Sequence, residues 1–126
     1  LNRELHEEIG LCKKYYLDAS NYFDSYVRDN YVDHFYVKEF SERDFEIIEQ
    51  GALEAKEWGS ETLGLIRVPT EDLDSRLPFQ AFLQHNFVAD ARTQLLHAVI
   101  ANSIISEERI NQYLLAIEIL KENQEK

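Results

Sequence analysis

Methionine is absent from these 126 residues and cysteine occurs once. A single cysteine excludes an internal disulfide, so the core alone must hold the fold; this fits a reducing cytoplasm. No apolar run reaches the roughly 20 residues needed to cross a bilayer, and no signal peptide is recognised. Bases are scarce, 13 against 24 acids, giving a net charge of −11. Residues 1–63 hold 15 acids against 7 bases, and residues 64–126 hold 9 against 6. Such a surface repels phosphate backbones at long range. Direct nucleic-acid binding is therefore not expected, and neither is a membrane. A protein partner or a homodimer is. Leu at position 1 and the missing methionine fit a fragment of a longer protein.

Motifs for chemistry are also few. The histidines are His6, His34, His85 and His97, and no two stand three or four residues apart. No Glu precedes a His by three, as a helical di-iron site requires. Asp72-Leu73-Asp74 lacks the third acid, the Gly and the closing Glu of a calcium loop. No Gly-bounded Ser suggests a nucleophile. Neither a metal nor a cofactor is expected.

What is present is helical periodicity. Leu5, Ile9, Cys12, Tyr16, Ala19, Phe23 and Tyr26 are spaced alternately by four and three. That seam predicts a first helix over residues 3–28, with Cys12 buried and Asp29-Asn30 as its stop. Its outer face carries Glu4, Glu7, Glu8, Lys13 and Lys14. Residues 31–40 are aromatic and β-branched with no clean period, and read as a packed connection. Ser41-Glu42-Arg43-Asp44 resembles a capping box and opens a second helix reaching Gly59-Ser60, with Phe45, Ile48, Ala52, Ala55 and Trp58 facing inward. Residues 60–78 admit a helical turn capped by Thr70 or a short helix over 61–67. Pro78 starts a third helix running to residue 104. Ser106 caps a fourth, with Ile110, Leu114, Ile117 and Leu120 inward. The expected fold class is all-α: an antiparallel four-helix bundle, one domain over 1–126, with an aromatic connection between helices one and two.

Fourteen Tyr and Phe residues exceed what such a core hides. Tyr15, Tyr22, Tyr26, Tyr31, Phe35 and Tyr36 are the candidate protein-binding residues, since Tyr suits interfaces. The same stretch resembles the N-terminal helical region of the RteC family. The resemblance rests on Tyr16-Leu17-Asp18, Phe23, Tyr26 and Arg28, then Asp33-His34-Phe35-Tyr36. It implies the helical, non-DNA-binding part of a regulator of conjugative transposons. This chain departs from that pattern in a shorter link after Arg28. The leading expectation is a non-catalytic regulatory domain. Two alternatives stand beside it. Arg92 and His97 match the loose Arg-x4-His spacing that resembles HEPN-type ribonucleases. Alternatively, Glu42, Glu46 and Glu49 form part of a continuous acidic patch on an antagonist or immunity protein.

Overall fold

A computed structural model describes residues 1–60, 62 and 64–125. Among them the order is α1 (Asn2–Ile9), β1 (Tyr22–Arg28), β2 (Tyr31–Tyr36), α2 (Glu42–Leu53), α3 (Pro78–Leu83), α4 (Ala91–Ala101) and α5 (Glu107–Glu125). Short 3-10 turns cover Lys13–Tyr15 and Ala19–Asn21. The chain forms two compact units, Leu1–Arg67 and Val68–Lys126.

The first unit corrects the all-α expectation. The long first helix stops after eight residues because Gly10 adopts φ +67°, a left-handed conformation that favours glycine. Its N–H donates to the His6 carbonyl at 2.9 Å, and the Leu11 N–H reaches back to Leu5 at 3.3 Å. Beyond that cap the seam fails: Leu11 takes the buried place expected for Cys12, which is exposed. The aromatic half of the expected helix is β1, and the aromatic connection is β2. They pair antiparallel, from Arg28 opposite Tyr31 to Tyr22 opposite Tyr36, with a bulge between Tyr22 and Asp24. Their β-branched and aromatic residues favour strands. Asp29-Asn30 is a two-residue hairpin turn, with Asp29 at φ +50°.

The second helix begins as expected, with the Ser41 hydroxyl accepting the Asp44 N–H at 3.2 Å. It ends at Leu53 rather than Gly59, and Phe45 and Trp58 are exposed. Leu11, Tyr15 and Ile48 form the buried cluster of this unit, with Leu5, Ile9, Tyr16 and Phe40 packed on it. Of the expected short helix over 61–67, Glu61 and Leu63 lie outside the described residues, and residues 64–70 are irregular.

In the second unit the expected helical turn after Thr70 is instead a tight turn. Leu73 and Arg76 exchange both backbone hydrogen bonds, at 2.9 and 2.7 Å, around Asp74 at φ +52°. The single long third helix is two helices, α3 and α4. Ala89 at φ +50° interrupts the path between them. Phe82 and Phe87 meet edge to face across that break, at 5.3 Å. Phe79, Leu83, Leu96, Val99, Ile110, Tyr113 and Ile117 are buried in one cluster. Each such side chain contributes roughly 1.5–3 kcal/mol by leaving water. Ser106 caps α5 by accepting the Arg109 N–H at 3.2 Å. Leu120, expected inward, is exposed.

Candidate functional site

One group of charged, chemistry-bearing side chains at a helix end belongs to α1. Arg3, Glu4, Glu7 and Glu8 lie within its first seven residues. Positions i, i+3 and i+4 share one helix face, so the three carboxylates are neighbours. Like charges so spaced weaken a helix by about 0.2–0.5 kcal/mol per pair, and nothing caps the N-terminus with a side chain. The short helix is held from outside instead. Asn2 clamps its start, donating to the Leu17 carbonyl at 2.8 Å and accepting the Leu17 N–H at 2.9 Å. The Glu57 N–H donates to the Glu7 carbonyl at 2.9 Å. At the far end a β-carbon added to Gly10 would lie 2.2 Å from the Gly51 carbonyl oxygen. The two glycines therefore bring the α1 cap directly onto the α2 backbone. Glu7 is half-buried, while Arg3, Glu4 and Glu8 are exposed.

Two further anchors fix α2. The Tyr15 hydroxyl donates to Asp44 Oδ1 at 2.9 Å. That bond, with help from Ser41, lowers the Asp44 pKa, and it raises that of Tyr15. Arg67 spans the outer face of α2, with Nη1 2.6 Å from Glu42 and Nη2 2.6 Å from Glu49. Its guanidinium also lies 5.7 Å from the centre of the Phe45 ring. The hydrogen bond from Arg67 lowers the Glu49 pKa.

The six aromatic candidates do not form one surface. Tyr15 is buried. Tyr22 and Tyr36 share one face of the hairpin, their rings 5.9 Å apart. Tyr31 and Phe35 lie on the other, by strand alternation. Tyr31 is exposed beneath Arg28, Phe35 is half-buried against Phe23, and Tyr26 is half-buried. Arg92 and His97 both lie on α4, and five residues of helix turn them about 140° apart. The acidic patch is interrupted by Arg67, which pairs with both Glu42 and Glu49.

Carboxylate oxygens such as those of Glu4, Glu7 and Glu8 are the donors a hard divalent cation takes. Their side chains do not converge, however. Among the described residues no three His, Cys, Asp or Glu side chains gather as a metal would need. Sequence reading placed these acids on a solvated outer face. The signal available was the run Arg3-Glu4-Leu5-His6-Glu7-Glu8-Ile9-Gly10, three acids on one face of a helix ended by glycine.

Comparison with known proteins gives this run its context. A family model described as "Nudt16-like: U8 snoRNA-decapping enzyme-like" matches residues 1–105. The chain is 38% identical over 121 residues to the U8 snoRNA-decapping enzyme of Xenopus laevis, covering 92% of this chain and 57% of that protein. It is 40% identical over 105 residues to the Mus musculus enzyme of the same name, covering 79% and 53%. It is also 30% identical over 120 residues to the Tudor-interacting repair regulator protein of Homo sapiens, covering 92% and 56%. The chain thus spans about half the length of these curated relatives. The match corrects the resemblance to RteC regulators, which rested on scattered positions: residues 16–18 lie outside any helix or strand, and the rest lie in β1 and β2 and not in a helix. It also overturns the non-catalytic transposon regulator, the HEPN ribonuclease and the acidic antagonist. The expectation of no enzyme falls with them, since the more similar relatives are named as enzymes. With 105 of its 126 residues matched, the chain belongs to the Nudt16-like family.

Proposed function

We propose that this chain carries the acidic-helix part of a hydrolase that opens the 5′ cap of a small RNA. The family match over residues 1–105 carries the reading. Identity supports it: 38% and 40% to proteins named for decapping U8 snoRNA, against 30% to a repair regulator. A cap is joined to its RNA through phosphoanhydride bonds. In opening one, the oxygen of water bonds to phosphorus as it loses a proton, and the bridging P–O bond breaks, its oxygen leaving with the electron pair on the departing phosphate. Glu4, Glu7 and Glu8 are carboxylates able to take that proton. Asn2, Glu57 and the Gly10–Gly51 contact hold them on a fixed scaffold. Arg3 beside them, and Lys13 and Lys14 after α1, are cations that pair with phosphate oxygens. The net charge of −11 opposes RNA at long range, so binding rests on these local contacts and weakens with salt. A single cysteine keeps the cytoplasm as the proposed compartment. Among the described residues no helix is long and apolar enough to cross a membrane.

The test is release of label from cap-labelled RNA. The purified chain is assayed alone and together with the share of the Xenopus laevis enzyme that it does not match, made as a separate polypeptide. Release is expected in at least one setting. Combining Glu7→Gln with Glu8→Gln should slow it by about a hundredfold, with the far-ultraviolet circular dichroism unchanged. No release in either setting overturns the reading.

A further inference from the structure

Trp58 is the one tryptophan of the chain, and 49% of it is exposed. A single exposed apolar side chain is ordinary. What sets this one apart is how firmly its backbone is held, and against what. The Trp58 N–H donates to the Ala55 carbonyl at 3.1 Å. One residue earlier, the Glu57 N–H donates to the Glu7 carbonyl at 2.9 Å, which fastens the loop to α1. One residue later, Gly59 turns the chain at φ +89°, a conformation that favours glycine, and its N–H donates to the Thr62 carbonyl at 2.6 Å. The Ser60 N–H and hydroxyl both donate to the Glu57 carbonyl, each at 3.1 Å. Three consecutive residues are therefore tied down, while the indole between them keeps half its surface in water. An aromatic ring on a fixed backbone loses little freedom when it binds.

Adjacent Cα atoms stand about 3.8 Å apart. Trp58 is thus one residue away from a hydrogen bond to the helix that bears Glu4, Glu7 and Glu8. The proposed role of those carboxylates is at a phosphate chain, and the phosphate chain of a cap carries a nucleoside at each end. Every base has a flat π face on which an aromatic ring stacks, and tryptophan is the best of the rings for a base that carries positive charge. Lys56, exposed two positions before Trp58, adds a cation for a phosphate oxygen on the same loop. We propose that Trp58 is the stacking platform for a base next to the phosphate chain that is cleaved, so that the loop holds the base while α1 meets the phosphates. The inference rests on the decapping reading for its ligand. It goes beyond that reading by assigning base recognition to a residue outside the acidic helix.

Calorimetric titration of the full chain tests it, with the cap dinucleotide GpppG as one probe and inorganic triphosphate as the other. Because Trp58 is the only tryptophan, its fluorescence follows the same titrations without interference. GpppG should bind and quench the emission, and triphosphate should leave the emission unchanged. Trp58→Ala should weaken GpppG binding by about tenfold and leave the response to triphosphate as in the wild type. Trp58→Phe, which keeps a ring, should lose no more than about threefold. Equal affinity of the wild type and Trp58→Ala for GpppG overturns the proposal, as does a wild type that does not bind GpppG. So does equal weakening toward both probes, which would make Trp58 a support of the loop and not a base contact. The readout is binding and not turnover. Failed decapping beside Trp58-dependent GpppG binding counts against decapping alone, and decapping by a chain whose Trp58→Ala variant keeps its affinity counts against this proposal alone.

Discussion

Gly10 is the residue on which the acidic helix depends most. It ends α1 at φ +67°, and any β-carbon there would strike the Gly51 carbonyl at 2.2 Å. Left-handed strain for a non-glycine residue costs on the order of 1–2 kcal/mol, and relieving the clash requires α1 and α2 to separate. Gly10→Ala should therefore destabilise the first unit by about 3 kcal/mol in a urea titration. Gly51→Ala should cost less, because its β-carbon would meet the Gly10 oxygen at 3.1 Å and its φ lies outside the positive range. A second residue-scale effect is titration. Asp18, Asp44 and Glu49 have pKa values below their ordinary 3.8, 3.8 and 4.5, held down by Ser20, Tyr15 and Arg67 respectively. Groups lowered on folding stabilise the fold above their ordinary pKa and lose that contribution as pH falls through the lowered one. Stability should accordingly be level above about pH 4.5 and decline below it. Tyr15→Phe should lower stability at neutral pH, and the gap to wild type should shrink as Asp44 protonates. Thermal melts from pH 7 to 2 would show both trends.

At the scale of elements, what was legible in the sequence was local chemistry. Ser41 and Ser106 cap α2 and α5, and Pro78 opens α3, because cap and first-turn preferences act within one turn of helix. Ser106→Ala should cost about 1 kcal/mol, measured by chemical denaturation. What was not legible was where periodicity stops. The spacing of Tyr16, Ala19, Phe23 and Tyr26 satisfies a helical seam by coincidence, while Phe23 and Tyr26, with Tyr22 and Val27, carry the aromatic and β-branched character of β1. Asp29-Asn30 fits a helix stop and a hairpin turn equally well until its partner strand is seen. The positive φ at Asp29 decides between them: Asp29→Val should destabilise the hairpin by about 1–2 kcal/mol, seen as faster amide exchange in β1 and β2. Ala89 shows the same limit. Phe79, Phe82, Leu83 and Phe87 serve a bent path as readily as a straight helix, so their pattern could not reveal the break between α3 and α4. The carboxylates of α1 were visible but not distinguishable from an ordinary solvated face, because acids on the outside of a helix usually serve solubility.

At the scale of the whole molecule, the chain combines an α/β unit carrying the acidic helix with a helical unit built on α3, α4 and α5. The strong negative charge argued against nucleic acid, yet the relatives act on an RNA by name. Net charge sets the long-range field, and it does not preclude a site where a few cations and carboxylates meet a phosphate chain. Glu7 and Glu8 are proposed above to belong to a decapping site. The most direct measurement compares the initial rate of label release from cap-labelled RNA by the wild type, by Glu7→Gln with Glu8→Gln, and by Glu118→Gln on the exposed side of α5. Release should fall about a hundredfold in the α1 variant and stay unchanged in the α5 variant. Equal rates in all three proteins, or no release by any of them even with the unmatched share of the Xenopus laevis enzyme present, would contradict it.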